Sequence, residues 1–200
     1  MASINAPNAP ALVPDTRTRI LDLAESLLLA RGFNAFSYQH IARELNIKPA
    51  AIHYHYPSKD DLGTAIVSRQ LRRLRKWRDL PRVTDLRPNQ QLEALFAVYD
   101  THLKQNIRVC LFGALAADFQ TLPAPMQQEL RTFNRELTEW VAEVLAAGRA
   151  TQTIRFVGSP AAKSAQLLTT LAGALQAARV HDETPFQLIV GQLRLELFPA

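Results

Sequence analysis

One cysteine, Cys110, is present among 200 residues. No internal disulfide can form, which excludes a stapled, loop-rich scaffold. Glycine is scarce, at 7, and most of the 12 prolines fall between periodic segments, a pattern that suits helices rather than hairpins. No apolar run approaches the roughly 20 residues needed to cross a bilayer. No stretch alternates as a strand, and no repeat or low-complexity tract is present. The opening MASINAPNAPALVPD lacks the charged start and apolar core of a secretion signal. Residues 1–13 read as a flexible tail. Together these absences predict an all-α protein of the cytoplasm, with no membrane partner.

What is present is an uneven distribution of charge. Residues 1–80 hold 12 Lys/Arg against 7 Asp/Glu, whereas residues 81–200 hold 11 of each. The whole net charge of +5 therefore lies in the first two fifths of the chain. A basic segment joined to a neutral one points to a polyanion-binding module on a scaffold with another purpose. A generally basic, soluble surface would not require that partition.

Periodicity places a first helix from Asp15 or Thr16 to about Arg31, with Ile20, Leu21, Ala24, Leu27 and Leu28 on its apolar face and Gly32 as its stop. Ser37 caps a second, short helix, bracketed by Phe36 and Ile41. Asn46 can take the left-handed conformation that ends it, and Pro49 fits the first turn of a third helix. Residues 37–56 thus have the spacing of a helix-turn-helix. A fourth helix opens at Ser58 or Lys59 and runs to about Leu80, and the stretch PRVTDLRPN reads as a loop and domain boundary. Further helices are expected at about 89–106, 109–120, 124–148, 160–181 and 185–197.

The third helix ends in His53-Tyr54-His55-Tyr56. Metal binding fits poorly, because residues two apart on a helix point about 200° apart and cannot share an ion. Catalysis would need a nucleophile and an oriented base, and neither is supplied here. Recognition of nucleic acid fits better. Pro49, Ala50 and Ala51 form a small tip able to approach thymine methyl groups. His53, Tyr54 and His55 carry polar atoms for phosphates and base edges, while Ile52 and Tyr56 pack inward. Ser37 and Tyr38 would lie against the backbone at a helix N-terminus, and Lys59 would hold a second phosphate.

The stretch TRTRILDLAESLLLARGFNAFSYQHIARELNIKPAAIHYHYPSKDDL resembles the DNA-binding region of the TetR family of bacterial transcriptional regulators. The tyrosine-rich helix followed by Ser-Lys carries the resemblance most specifically. It implies DNA contacts from Ser37, Tyr38, Gln39, Lys48, Pro49, Ala50, Ala51, His53, Tyr54, His55 and Lys59. It also implies a three-helix helix-turn-helix domain over residues 14–74 and a helical effector-binding and dimerisation domain over 75–200. The family usually has Gly where this chain has Asn46, and Ser or Thr where it has Lys48. These departures bear on which operator is read.

By the same resemblance the chain is expected to be a ligand-responsive regulator, most simply a repressor. It would bind a near-palindromic double-stranded DNA operator as a homodimer and be released by a small-molecule effector, with no cofactor and no enzymatic activity. Residues offered for the effector pocket are Phe96, Tyr99, His102, Leu103, Cys110, Phe112, Leu115, Phe119, Phe133, Leu137 and Trp140, although an aromatic stripe is more often plain core than a ligand site. Leu168, Leu171, Leu175, Ile189 and Leu193 are offered for the dimer interface. Cys110 sits near an expected helix start with Arg108 two residues before it, and both features lower a thiol pKa. It is either a redox or electrophile sensor, as some family members with a similar CLFG context are, or a small buried hydrophobe. A protein that binds DNA by charge alone is the remaining alternative.

Overall fold

The computed structural model describes residues 14–105 and 109–199, so the expected N-terminal tail lies outside the described residues. Ten α-helices and one 3-10 turn make up the described elements, with no strand among them. Asp15 caps the first, α1 (Thr16–Arg31), by accepting a 2.7 Å hydrogen bond from Thr18 N–H. Gly32 ends it at φ 85, a left-handed conformation that a side chain would resist. α2 (Tyr38–Leu45) and α3 (Pro49–His55) are joined at Asn46, whose φ 53 and ψ 49 match the expected left-handed turn. α4 (Lys59–Arg78) begins with a reciprocal cap: Ser58 N–H donates to Asp61, and Asp61 N–H donates to Ser58 Oγ.

α4 is the element that joins two cores. Leu62, Ile66 and Val67 pack with Ile20, Leu28, Phe36, Ile41 and Ile52 beneath the helix-turn-helix. Leu74 and Trp77, further along the same helix, pack against the second core. At 20 residues α4 spans about 30 Å. The first core also draws in Leu111, Leu115, Leu122, Met126 and Leu130, so the recognition helices rest on side chains from well beyond residue 74.

The second core is built by α6 (Pro88–Lys104), α8 (Ala124–Ala150), α9 (Pro160–Val180) and α10 (Thr184–Leu197). At the end of α8, a Cβ on Gly148 would fall 2.3 Å from Ile154, so the returning chain packs directly on the helix backbone. Ser164, a fully buried polar residue, donates its hydroxyl to Thr138 O at 2.7 Å. Ion pairs brace α4 along its length: Arg75 forks onto Glu136 of α8, and Arg69 and Arg73 converge on Glu25 of α1.

Two stretches differ from the expected elements. The segment read as a loop contains a short α5 (Pro81–Thr84), started by Pro81 in its first turn and held by Val83, which is buried in the second core. The helix expected over 109–120 is instead α7 (Leu111–Ala116) and a 3-10 turn (Phe119–Thr121). Thr121 donates its hydroxyl to Asp118 O and accepts from the Asn34 side chain, bonds that compete with a continued helix. Among the described residues no helix is long and apolar enough to cross a membrane.

Candidate nucleic-acid interface and ligand cavity

α3 turns Ile52 and Tyr56 inward and leaves the rest of its surface open. Lys48, Pro49, Ala50, His53 and Tyr54 are exposed, Gln39 of α2 is exposed beside them, and Ala51 and His55 are half-buried. Tyr54 is 84% exposed, an extreme value for an aromatic residue that no internal packing explains. His53 Nδ1 lies 3.1 Å from Pro57 O, which can only accept, so Nδ1 is the donor of that bond.

Three residues of the expected DNA set are engaged inside the protein. The Tyr38 hydroxyl donates to the carbonyls of Tyr56 and Ser58, at 2.8 and 2.5 Å, and its ring meets His53 edge-on. Burial, aided by Asp61 and Asp60, pushes that phenol up to about 12. Ser37 is half-buried, and its N–H donates to His40 Nδ1 at 3.2 Å. The Lys59 ammonium lies over the rings of Phe33 and Phe36, at 4.6 and 4.8 Å, and desolvation there lowers its pKa.

A cavity of about 560 Å³ opens between α1, α4, α6, α7, α8 and α9. Tyr99, His102, Cys110, Phe112, Phe133 and Leu137 line it as expected. Phe96, Leu103, Leu115, Phe119 and Trp140 do not. Phe96 is buried against Phe198 under the Arg194 guanidinium, and Leu103 is buried in the second core. Leu115 and Phe119 pack on the first core, and Trp140 stands edge-on to Trp77 at 5.2 Å. Sequence reasoning missed the wall contributed by α4: Gln70, Arg73, Leu74 and Trp77. Their spacing of three, four and seven residues puts them on one face, a signal available in the sequence but masked by the basic residues between them.

Burial raises the Tyr99 phenol and lowers the His102 imidazole, so both stay neutral near pH 7. Cys110 corrects the expectation drawn from its position. Its thiol pKa is raised by burial, and the N–H groups of Gly113, Cys110 and Phe112 only partly oppose this. A short helix start does not outweigh loss of solvent here, and Arg108 lies outside the described residues.

The expected dimer residues need a second correction. Leu171 and Leu175 have no accessible surface, and Leu168 and Leu193 have little, because all four face the protomer's own core. The opposite faces of α9 and α10 carry exposed Val180, Leu188 and Leu195, with Gly173 and Gly191 opening onto space.

Comparison with known proteins agrees with this architecture. Residues 20–66 match the family described as "Bacterial regulatory proteins, tetR family", and residues 88–190 match "Tetracyclin repressor-like, C-terminal domain". The chain belongs to the TetR family. Among solved TetR regulators, one from Legionella pneumophila is 31% identical with a TM-score of 0.82, covering 92% of this chain and 98% of its own. One from Agrobacterium tumefaciens is 27% identical with a TM-score of 0.84, covering 92% and 97%. The HTH-type transcriptional repressor NemR of Escherichia coli K12 is 23% identical over 174 residues, 83% of this chain and 85% of NemR. TetR-family proteins are DNA-binding transcriptional regulators, generally without enzymatic activity, that bind operators as dimers and respond to small molecules.

Proposed function

We propose that this TetR-family protein is a ligand-responsive repressor that reads a near-palindromic operator as a homodimer. The unit around residues 14–74 contacts DNA through Gln39, Lys48, Pro49, Ala50, Ala51, His53, Tyr54 and His55. The effector sits in the cavity that residues 75–200 share with α1 and α4, and two chains pair through the outer faces of α9 and α10. Exposed Leu188 and Leu195 beside glycine-opened surface support that pairing face.

The observation that carries the reading is the placement of α4. Three residues separate it from the end of the recognition helix, and the Tyr38 hydroxyl of α2 holds that turn by donating to Tyr56 O and Ser58 O. Three turns on, Gln70, Arg73, Leu74 and Trp77 form a wall of the cavity. A molecule that fits the cavity better in one setting of α4 than another shifts the spacing of the two recognition helices. Repression is favoured over activation by likeness to NemR, a repressor. Sensing by Cys110 is disfavoured by its raised thiol pKa.

The test is binding to DNA selected from a random pool, with wild type compared with Tyr54→Ala and Lys48→Ala. Both variants should remain folded, and each should weaken binding by roughly tenfold. Lys48→Ala should also reduce the salt dependence by about one phosphate's worth. Wild-type affinity in both variants would remove this surface from the DNA.

A further inference from the structure

The cavity's charges cancel one another before any ligand arrives. Glu25, the one carboxylate among the described lining residues, accepts from the Arg69 guanidinium, the Gln70 amide and the Arg73 guanidinium, and Arg69 also pairs with Asp22, so two carboxylates face two guanidiniums. Its side chain is 12% exposed, that of Arg69 13%, and that of Arg73 54%. The remaining lining is mostly apolar, with Trp77, Tyr99, Phe112 and Phe133 as flat surfaces. His102 also faces this space, and its buried Nδ1 has no hydrogen-bond partner among the described residues.

We infer that the cavity takes an uncharged, aromatic-sized molecule with one hydroxyl or carbonyl head, and that the head sits where α1, α4 and α6 meet, against Glu25, Gln70, Arg73 and His102. This deepens the effector reading above and rests on it. A carboxylate head would either share the Arg73 guanidinium with Glu25, whose like charge repels it, or draw Arg73 off Glu25 and leave that carboxylate less compensated in a half-buried site. An ammonium head would have to draw Glu25 off its arginines, with the mirror-image cost. Breaking a partly buried pair is far more expensive than leaving it alone. A neutral head needs no such exchange. It can bond to the Gln70 amide, and a small turn of the His102 ring brings the unsatisfied Nδ1 to it. Tyr99, His102 and Cys110 are all held in their neutral forms by burial, so none of them adds a charge to the wall near neutral pH. The volume lies within the range of cavities that enclose small organic ligands. The head would rest on the contact between α1 and α4, the joint that sets the angle of α4 to the recognition unit.

Three probes with one skeleton test this: phenylbutanol, phenylbutyrate and phenylbutylamine, titrated against the full chain and read by tryptophan fluorescence, since Trp77 lines the cavity and Trp140 packs on Trp77. Phenylbutanol should give a saturable change and bind at least about tenfold more tightly than either charged probe. Glu25→Gln frees Arg73, while Arg69 keeps its pair with Asp22, and should bring phenylbutyrate level with phenylbutanol. Arg73→Gln, at the more exposed partner, should favour phenylbutylamine instead. Ala172→Phe, which fills the cavity from α9, should remove all binding while circular dichroism shows helices intact. A charged probe that matches phenylbutanol on wild type, or rankings unmoved in both charge variants, overturns the ligand class and leaves the cavity reading standing. No saturable change with any probe, or binding undiminished in folded Ala172→Phe, overturns the cavity reading itself.

Discussion

Tyr38→Phe separates a residue that touches DNA from one that builds the surface touching it. The substitution removes a single oxygen and keeps the ring that meets His53 at 4.7 Å. That oxygen donates to Tyr56 O and Ser58 O, at 2.8 and 2.5 Å, across the turn joining α3 to α4. A net hydrogen bond is worth about 1 kcal/mol, and a carbonyl left short of a donor adds to the loss when it is buried. Ser58 is exposed and its carbonyl can turn to water, so the expected destabilisation is about 1–2 kcal/mol. In a chain of 200 residues that lowers the melting temperature by about 3–6 °C. The phenol keeps its proton up to about 12, so the effect should be constant through neutral pH. The assay pairs thermal melts at fixed protein concentration with fluorescence anisotropy on operator DNA. Operator affinity of the folded variant should stay within about threefold of wild type. An unchanged melt together with a large loss of specific binding would put the hydroxyl on DNA and refute the assignment.

Leu188→Glu or Leu195→Glu should yield folded monomers in sedimentation, because both side chains are exposed, whereas Leu175→Glu should unfold the protein by burying an unpaired carboxylate. Burial holds the folded-state pKa of His102 below the ordinary imidazole value of 6.5, so as pH falls through 6.5 the unfolded chain takes up the proton first and stability declines. His102→Leu should flatten that part of the profile in urea midpoints measured above and below pH 6.5, and an unchanged slope would contradict the burial of the ring. Cys110 should react with a small alkylating reagent more slowly than a free thiol at neutral pH, with rates followed by mass spectrometry. Reaction faster than a free thiol would restore the sensing alternative.

The helix-turn-helix was legible because local chemistry dictates it: Asp15 and Ser58 as caps, Asn46 as a left-handed turn and Pro49 in a first turn leave few other conformations. The side-chain roles within it were less legible. Tyr38 and Lys59 are expected on DNA by residue type, whereas their contacts within the protein come from distant positions: the Tyr38 hydroxyl donates to Tyr56 O, 18 residues away, and the Lys59 ammonium lies over the Phe33 ring from the turn between α1 and α2. The leucines of α9 and α10 were read correctly as apolar stripes and assigned to the wrong partner. Periodicity identifies a buried face without saying what buries it, and Leu171 and Leu175 turn to their own core. The α4 wall was hidden for a related reason, since Gln70 and Arg73 look like solvent-facing residues until Glu25 is brought opposite them by the fold. Cys110 misled because a helix start and a nearby cation are local features, while the burial that dominates its thiol is a property of the whole domain.

Footprinting on the operator selected by the purified protein tests the central claim most directly. The account predicts two protected half-sites related by a dyad, their centres about 34–36 Å or a multiple of that apart, with two chains or a multiple of two bound. Tyr54→Ala should lose both half-sites together. Continuous protection without dyad symmetry, or failure of selection to enrich any sequence, would contradict it and leave a protein that binds DNA by charge alone.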